Sequence, residues 1–167
     1  MASGPRPRGA GGDADPYGMD ESGRGTFGRI TSALVPQRLA RRALSVSVAT
    51  DRDAYAMGED VEIEIAVRNR LPVPITIETE GGRIWGWTVD GELEASDEPR
   101  RASAHRDSID LRGFGTRRFE RTWDGRFKRT GTPTRWVEAD PGEYEIAAYV
   151  ATSGDPVRDE TTVRLRR

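Results

Sequence analysis

The most regular pattern in the chain begins after Ala43, where apolar and polar residues start to alternate with a period of two. Segment 61–67 is the clearest example, because Val or Ile occupies every second position and Glu or Ala fills the positions between them. Such alternation predicts a strand with one buried face and one solvated face. Eight segments show this pattern in some form. They are 44–48, 61–67, 73–77, 84–89, 108–111, 117–123, 144–150 and 161–165.

Turn residues separate these segments, and no segment has a convincing helical period. The pairs at 81–82 and 90–91 are Gly-Gly and Asp-Gly, and the second supplies the positive φ angles that a tight hairpin needs. Pro74 favours an edge position for strand 73–79, because proline cannot donate to a strand ladder. The pattern therefore predicts an all-β fold, an immunoglobulin-like antiparallel β-sandwich of about seven or eight strands.

The N-terminal part of the chain has a different composition. Residues 1–28 are mostly Gly, Pro, Asp, Arg and Ser, with too few apolar groups to offset the entropy of ordering a backbone. Segment 29–42 is basic and weakly amphipathic, but Pro36 interrupts it. We therefore expect residues 1–42 to be a disordered or loosely docked tail and residues 43–167 to form one sandwich domain.

The overall charge of the chain does not indicate a class of partner. The chain has 26 basic and 28 acidic residues, so its net charge of −2 gives no general field for nucleic acid or an anionic membrane. It has no cysteine, which excludes disulfides and thiolate metal sites. No apolar run is long enough for a secretory signal or a membrane span. These features predict a cytoplasmic protein that has neither a nucleic-acid nor a membrane partner.

Three motifs follow one another in an order that resembles a known family. The first has the pattern Tyr, Gly-Glu, Val, Val, Asn, the second is an aromatic strand that ends in Asp-Gly, and the third has the pattern Trp-Asp-Gly, Gly, Pro-Gly-x-Tyr. In this order they resemble the intracellular proteinase inhibitor family of the bacilli. The motifs lie at 53–69, at 85–91, and at 123–125 with Gly131 and 141–144.

The resemblance implies an immunoglobulin-like β-sandwich that inhibits an intracellular serine protease by non-covalent contact. This sequence departs from the family by two long inserts, at 92–107 and 126–136. The protease-contacting loop of the family has no residue-by-residue match here. The fold is therefore implied more directly than the activity.

Candidate catalytic groups are few and badly arranged. His105 is the only histidine, and it shares one polar loop with Ser103 and Asp107, whereas a catalytic triad needs members held on separate rigid elements beside an oxyanion site. The carboxylate pairs, such as 51/53 and 59/60, lack the spacing of a dedicated calcium loop. We therefore predict no catalytic residue, no cofactor and no metal site.

Arginines and aromatic residues alternate between 117 and 136, as they do on some nucleic-acid surfaces. Phe119 and Trp123, however, have the spacing of a buried strand face. The aromatic and basic residues of segment 126–136 are of the types enriched at binding hot spots, so we predict a protein-contact loop there. An alternative is that Trp136 covers the core beneath the loop. The predicted contact residues are Phe127, Lys128, Arg129, Arg135 and Trp136.

The sequence leaves three alternative functions open. The first is a non-catalytic protein-binding module, for which the family resemblance adds an intracellular serine protease as a candidate partner. The second is a structural subunit that assembles through exposed strand edges, such as that of strand 73–79. The third is an enzyme or metal-dependent domain, which would need a polar constellation that the sequence does not show.

Overall fold

The computed structural model describes residues 35–79, 83–98 and 107–167. These residues form one helix and twelve strands, and the fold is the predicted all-β, immunoglobulin-like sandwich. The elements are α1 (Gln37–Ala43), β1 (Leu44–Thr50), β2 (Ala54–Ala56), β3 (Val61–Asn69), β4 (Ile75–Thr79), β5 (Trp85–Val89), β6 (Glu92–Leu93), β7 (Asp107–Leu111), β8 (Thr116–Trp123), β9 (Arg126–Arg129), β10 (Arg135–Glu138), β11 (Gly142–Val150) and β12 (Val157–Arg166).

Two larger sheets enclose the core. The first has the strand order β1-β3-β8 and the second has the order β2-β12-β11-β5-β6. All neighbours in them are antiparallel except β2 and β12, which run parallel. The remaining strands form two antiparallel pairs, β4 with β7 and β9 with β10.

The period-two pattern is reproduced in the burial of the strands. In β3 the four aliphatic positions at 61, 63, 65 and 67 are buried and the intervening glutamates are exposed. Each of the eight predicted segments contains a strand, and only residues 73–74 and 84 of them lie just before β4 and β5. The four further strands, β2, β6, β9 and β10, are two to four residues long and carry no clear alternation, which is why the sequence pattern did not reveal them. Pro74 lies just before β4 rather than inside it.

The hairpin predicted at Asp90-Gly91 is confirmed. Both residues have positive φ angles, 46° and 79°, and they join β5 directly to β6. This backbone conformation matches the twist of the flanking strands.

The helix α1 was not predicted. It begins after Pro36, and only Ala40 and Ala43 are buried, so seven residues with two small apolar contacts give no readable helical period. The helix packs beside β4, where the Gln37 side-chain amide donates to the carbonyl of Thr76 at 3.0 Å. Ordered structure therefore starts before residue 43, whereas residues 1–34 of the predicted tail lie outside the described residues.

The third sequence motif is explained by an aromatic cluster. The buried Trp123 ring meets Tyr144 edge-on, with a centroid distance of 5.2 Å, and its indole N–H donates to the carbonyl of Arg126. The Tyr144 hydroxyl donates to the carbonyl of Asp140 at 2.7 Å. The Trp-Asp-Gly and Pro-Gly-x-Tyr segments are thus two parts of one packing unit, and their role here is structural.

The first motif is also structural. The buried Tyr55 donates its hydroxyl hydrogen to the Asp51 carboxylate at 2.5 Å, and the backbone N–H of Arg52 donates to the Tyr55 hydroxyl oxygen. The Glu59 carboxylate accepts the backbone N–H of Ala56 at 2.8 Å. These bonds close the two short turns on either side of β2, between β1 and β3.

A buried asparagine joins two loops at one end of the sandwich. Asn69 donates its side-chain amide to the carbonyls of Val73 and Arg112, at 2.8 and 2.9 Å, and accepts the backbone N–H of Leu71. Loops 70–74 and 112–115 are therefore held against each other. Gly113 is required at this contact, because a Cβ there would lie 1.9 Å from a backbone oxygen of the facing loop.

Candidate functional site

The segment predicted as a contact loop is a β-hairpin. Strands β9 and β10 pair antiparallel, with Arg135 opposite Arg129 and Val137 opposite Phe127. The sequence predicted a loop over 126–136, whereas residues 126–129 and 135–136 lie in paired strands. Charged residues occupy both phases of β9 and β10, so no apolar alternation marked them as strands.

Phe127 belongs to the core and not to a contact surface, which corrects its place in the predicted set. Its side chain is 8% exposed and lies against Trp123 and Tyr144, with centroid distances of 5.6 and 6.0 Å. The side chain therefore anchors the hairpin to the sandwich. It is not available to a partner.

The other side of β9 is bonded to segment 95–97, which belongs to the insert at 92–107. The backbone N–H of Lys128 donates to Ala95, and the N–H of Asp97 donates to Lys128, at 2.7 and 3.2 Å. The Asp97 carboxylate accepts both the backbone N–H and the hydroxyl of Thr130, at 2.6 and 2.9 Å. The insert at 92–107 thus supports the hairpin through this segment, although residues 99–106 of the insert lie outside the described residues.

Two of the predicted basic contact residues are held in ion pairs. Lys128 pairs with Glu98 at 2.5 Å, and Arg129 pairs with Glu92. Arg135 has no ion pair within the described part of the chain. Of the predicted basic residues, Arg135 is therefore the one whose charge remains available.

Strand β10 is the outer edge of the hairpin, and all four of its residues are exposed. Trp136 is 57% exposed and Val137 is 47% exposed, so Trp136 does not cover the core. The N–H of Ala139 donates to the carbonyl of Gly125, which immediately precedes β9, and by the antiparallel alternation the backbone groups of Trp136 and Glu138 point away from β9. The hairpin thus presents an open strand edge with two large apolar side chains.

The Asp97 carboxylate gives the hairpin a dependence on pH. The hydrogen bond from the Thr130 backbone N–H holds the pKa of Asp97 below its usual value. Because the folded-state pKa is depressed, this bond stabilises the hairpin above the ordinary carboxyl pKa, and its contribution is lost as the pH falls through the folded-state value. We expect the Thr130 amide signal in NMR spectra to shift with acid below about pH 4. In Asp97→Asn this acid shift should disappear, and its persistence would contradict the assignment.

The catalytic candidates of the sequence lie partly outside the described residues. His105 and Ser103 belong to segment 99–106, which lies outside the described residues, so the structure does not bring the sequence-predicted triad together. Within 35–79, 83–98 and 107–167, no three histidine, aspartate or glutamate side chains converge as a metal ion would need. The cleft beside the hairpin is lined by Asp60, Asp124, Arg126 and Glu138 with small and apolar neighbours. The one helix of the described residues, α1, is not long and apolar enough to cross a membrane.

The fold and the exposed hairpin define an immunoglobulin-like β-sandwich that carries a hairpin with an open edge at β10. The sequence matches the family DUF7974, described as a family of unknown function, over residues 32–166. The chain belongs to this family. No curated protein matches the sequence, so the resemblance to the proteinase inhibitors stays a prediction.

Several solved structures are similar in chain path at low sequence identity. The CARDB domain of a Pyrococcus furiosus protein, in complex with di-metal ions, is 13% identical, with a TM-score of 0.45 over 74% of this chain and 87% of that one. A β-glucosidase of Listeria innocua is 11% identical, with a TM-score of 0.45 over 73% of this chain and 16% of the enzyme. An alkylpurine DNA glycosylase of Pseudomonas fluorescens, bound to DNA, is 12% identical, with a TM-score of 0.43 over 83% of this chain and 33% of that enzyme. The metal, sugar and DNA of those proteins are not transferred to this chain.

Proposed function

We propose that this chain is a non-catalytic protein-binding module and that it takes an extended segment of its partner along the free edge of β10. The observation that carries the proposal is the contrast between the two sides of the hairpin. β9 is bonded to segment 95–97 by its backbone, whereas β10 has all four residues exposed. An exposed strand edge is a template for pairing with another chain.

The side chains of β10 suit such a contact. Trp136 and Val137 lie next to each other along the strand and point to opposite faces of the hairpin, so a paired segment would have an apolar neighbour on each face. Arg135 and Glu138 stand at the two ends of the strand with opposite charges. Backbone pairing supplies affinity in this mode, and the side chains supply selectivity.

A serine protease is one partner that the proposal admits. The hairpin tip at 130–134 is exposed and is presented by two paired strands, which is a shape that an extended protease cleft accepts. The measurement is residual activity of a purified subtilisin-type protease at increasing concentrations of this protein. Undiminished activity at all concentrations would remove the protease and leave the binding module in place.

The partner should be identified by a photo-reactive phenylalanine analogue placed at position 136 in the source cells. We expect one discrete cross-linked protein, because an aromatic side chain at this position lies beside the proposed pairing edge. The control carries the same analogue at Leu39, which is also exposed but lies on α1. Equal products from both positions, or none from position 136, would contradict the proposal.

Strand pairing is then tested with the purified partner by calorimetry. Glu138→Pro removes an outward N–H, whereas Glu138→Ala removes the side chain and keeps that N–H. We expect the proline variant to bind at least about tenfold more weakly than the alanine variant, since the loss of a backbone hydrogen bond is combined with a block to pairing. Trp136→Ala should weaken binding about thirtyfold, as for a central aromatic hot spot. Equal affinities of the two Glu138 variants would exclude pairing along this edge.

A further inference from the structure

One end of the sandwich, opposite to the hairpin, carries a local excess of arginine. β3 ends there and β8 begins there, and α1 ends beside them, since the N–H of Arg70 donates to the carbonyl of Ala43. Five exposed arginines at this end make no ion pair within the described residues. We call this surface the arginine-rich end, and its arginines are Arg42, Arg68, Arg70, Arg112 and Arg117.

Among the described residues, acidic groups near this end are few and already bonded. Asp155 pairs with Arg41 at 3.3 Å, which is a sixth arginine beside the surface. Asp110 accepts the hydroxyl of Thr76 at 2.6 Å. The positive charge of the five arginines is therefore not neutralised by described residues nearby, although the net charge of the whole chain is −2.

Exposed apolar side chains stand among these arginines. Phe114 is 59% exposed and Val73 is 43% exposed. Their loops are in contact, because the N–H of Phe114 donates to the carbonyl of Leu71 at 2.7 Å and Gly113 packs against Pro72. The two side chains thus belong to one apolar tip formed by loops 70–74 and 112–115.

The backbone at Phe114 is unfavourable for the residue it carries. Its φ angle is 53°, in the left-handed region that a bulky side chain rarely adopts. Glycine would be accommodated there at no steric cost, and the exposed ring makes no contribution to the core. Strained residues of this kind tend to be found at functional positions.

We infer that the arginine-rich end binds the surface of an anionic lipid membrane, with Phe114 and Val73 entering the interfacial region and the arginines contacting lipid phosphates. Both the charged and the apolar side chains of this surface support an anionic membrane as its partner. Arginines near an anionic leaflet are attracted to it, and exposed aromatic and aliphatic groups gain by leaving water at the interface. The net charge of the chain predicted no membrane partner, because a net charge does not show where on the surface the arginines cluster.

A nucleic acid fits the surface less well. It would use the arginines and could stack one base on Phe114, but it has no apolar surface for Val73 and Pro72. An acidic protein would likewise leave the apolar tip in water unless it carried a matching apolar patch. The bilayer interface satisfies both kinds of side chain at once.

The experiment is co-sedimentation of the full chain with vesicles of equal amounts of phosphatidylglycerol and phosphatidylcholine. We expect binding to these vesicles that weakens with added salt, and little binding to phosphatidylcholine alone. Arg112→Gln should weaken partitioning about fivefold. Phe114→Gly should weaken it about tenfold, since the apolar group is removed.

Phe114→Gly separates function from folding, because glycine suits the backbone at this position. We expect its thermal unfolding midpoint to equal or exceed that of the parent while vesicle binding falls. The matched control is Trp136→Gly, an equally exposed aromatic at the opposite end of the molecule, which should leave vesicle binding unchanged. Three results would each overturn the inference: no binding of the parent to anionic vesicles, equal losses in the two glycine variants, or tighter binding to a DNA duplex than to vesicles at the same salt concentration.

Discussion

Trp123→Ala is expected to lower the free energy of unfolding by about 3–5 kcal/mol, as for other buried aromatic residues that are truncated in a core. The ring is buried between the two sheets and contacts both Phe127 and Tyr144. Its removal leaves a cavity and frees the carbonyl of Arg126 from the indole N–H. Urea unfolding followed by circular dichroism measures the change.

The control for this variant is Trp136→Ala. Trp136 is the same residue type but is exposed on β10, so the expected change in unfolding free energy lies within about 0.5 kcal/mol of zero. Similar losses for the two variants would mean that the burial of Trp123 is not what stabilises the domain.

Asn69→Leu is expected to cost about 3 kcal/mol, although it replaces one side chain by another with the same branching and the same number of heavy atoms. Leucine cannot donate to the carbonyls of Val73 and Arg112 or accept from the N–H of Leu71, and the buried groups lose their partner. Hydrogen exchange should accelerate in loops 70–74 and 112–115 before it does so in the sheets.

Arg70→Ala serves as the comparison for Asn69→Leu. Arg70 is the next residue in the chain and is exposed, so its truncation should change the unfolding free energy by less than about 0.5 kcal/mol. An Asn69→Leu protein as stable as Arg70→Ala would show that the two loops are held together by packing alone.

The sequence was sufficient for the long strands because their burial repeats every second residue. In β3 this repeat covers nine residues, and it identifies both the strand and its buried face. On the exposed faces, glutamates pair with arginines of the neighbouring strands, Glu64 with Arg118 and Glu145 with Arg158.

The sequence was not sufficient for the hairpin or the helix. The four residues of β10 are all exposed, so no alternation marks them, and β9 has a single buried side chain. Phe127 was therefore grouped with Trp136 by residue type, although one is buried and the other exposed. Which member of such a pair faces the core depends on cross-strand register, and register is set by contacts distant in the chain.

The arginine-rich end was likewise invisible in the sequence. Its arginines come from α1, the end of β3 and the loop after it, the turn that precedes β8, and the start of β8, so they are separated by up to 75 positions along the chain (from 42 to 117). Only the fold brings them to one surface. The acidic residues that balance them in the total charge lie mainly elsewhere.

The antiparallel pair β3 and β8 has a mechanical consequence. Both strands run without interruption between the two proposed contact surfaces, and eight residues of β8 span about 25 Å. A protein paired with β10 would be kept at a constant height above a bilayer that touches Phe114, since a hydrogen-bonded ladder resists changes in its length. Neither occupant would block the other, so the domain would act as a rigid spacer that bridges the two.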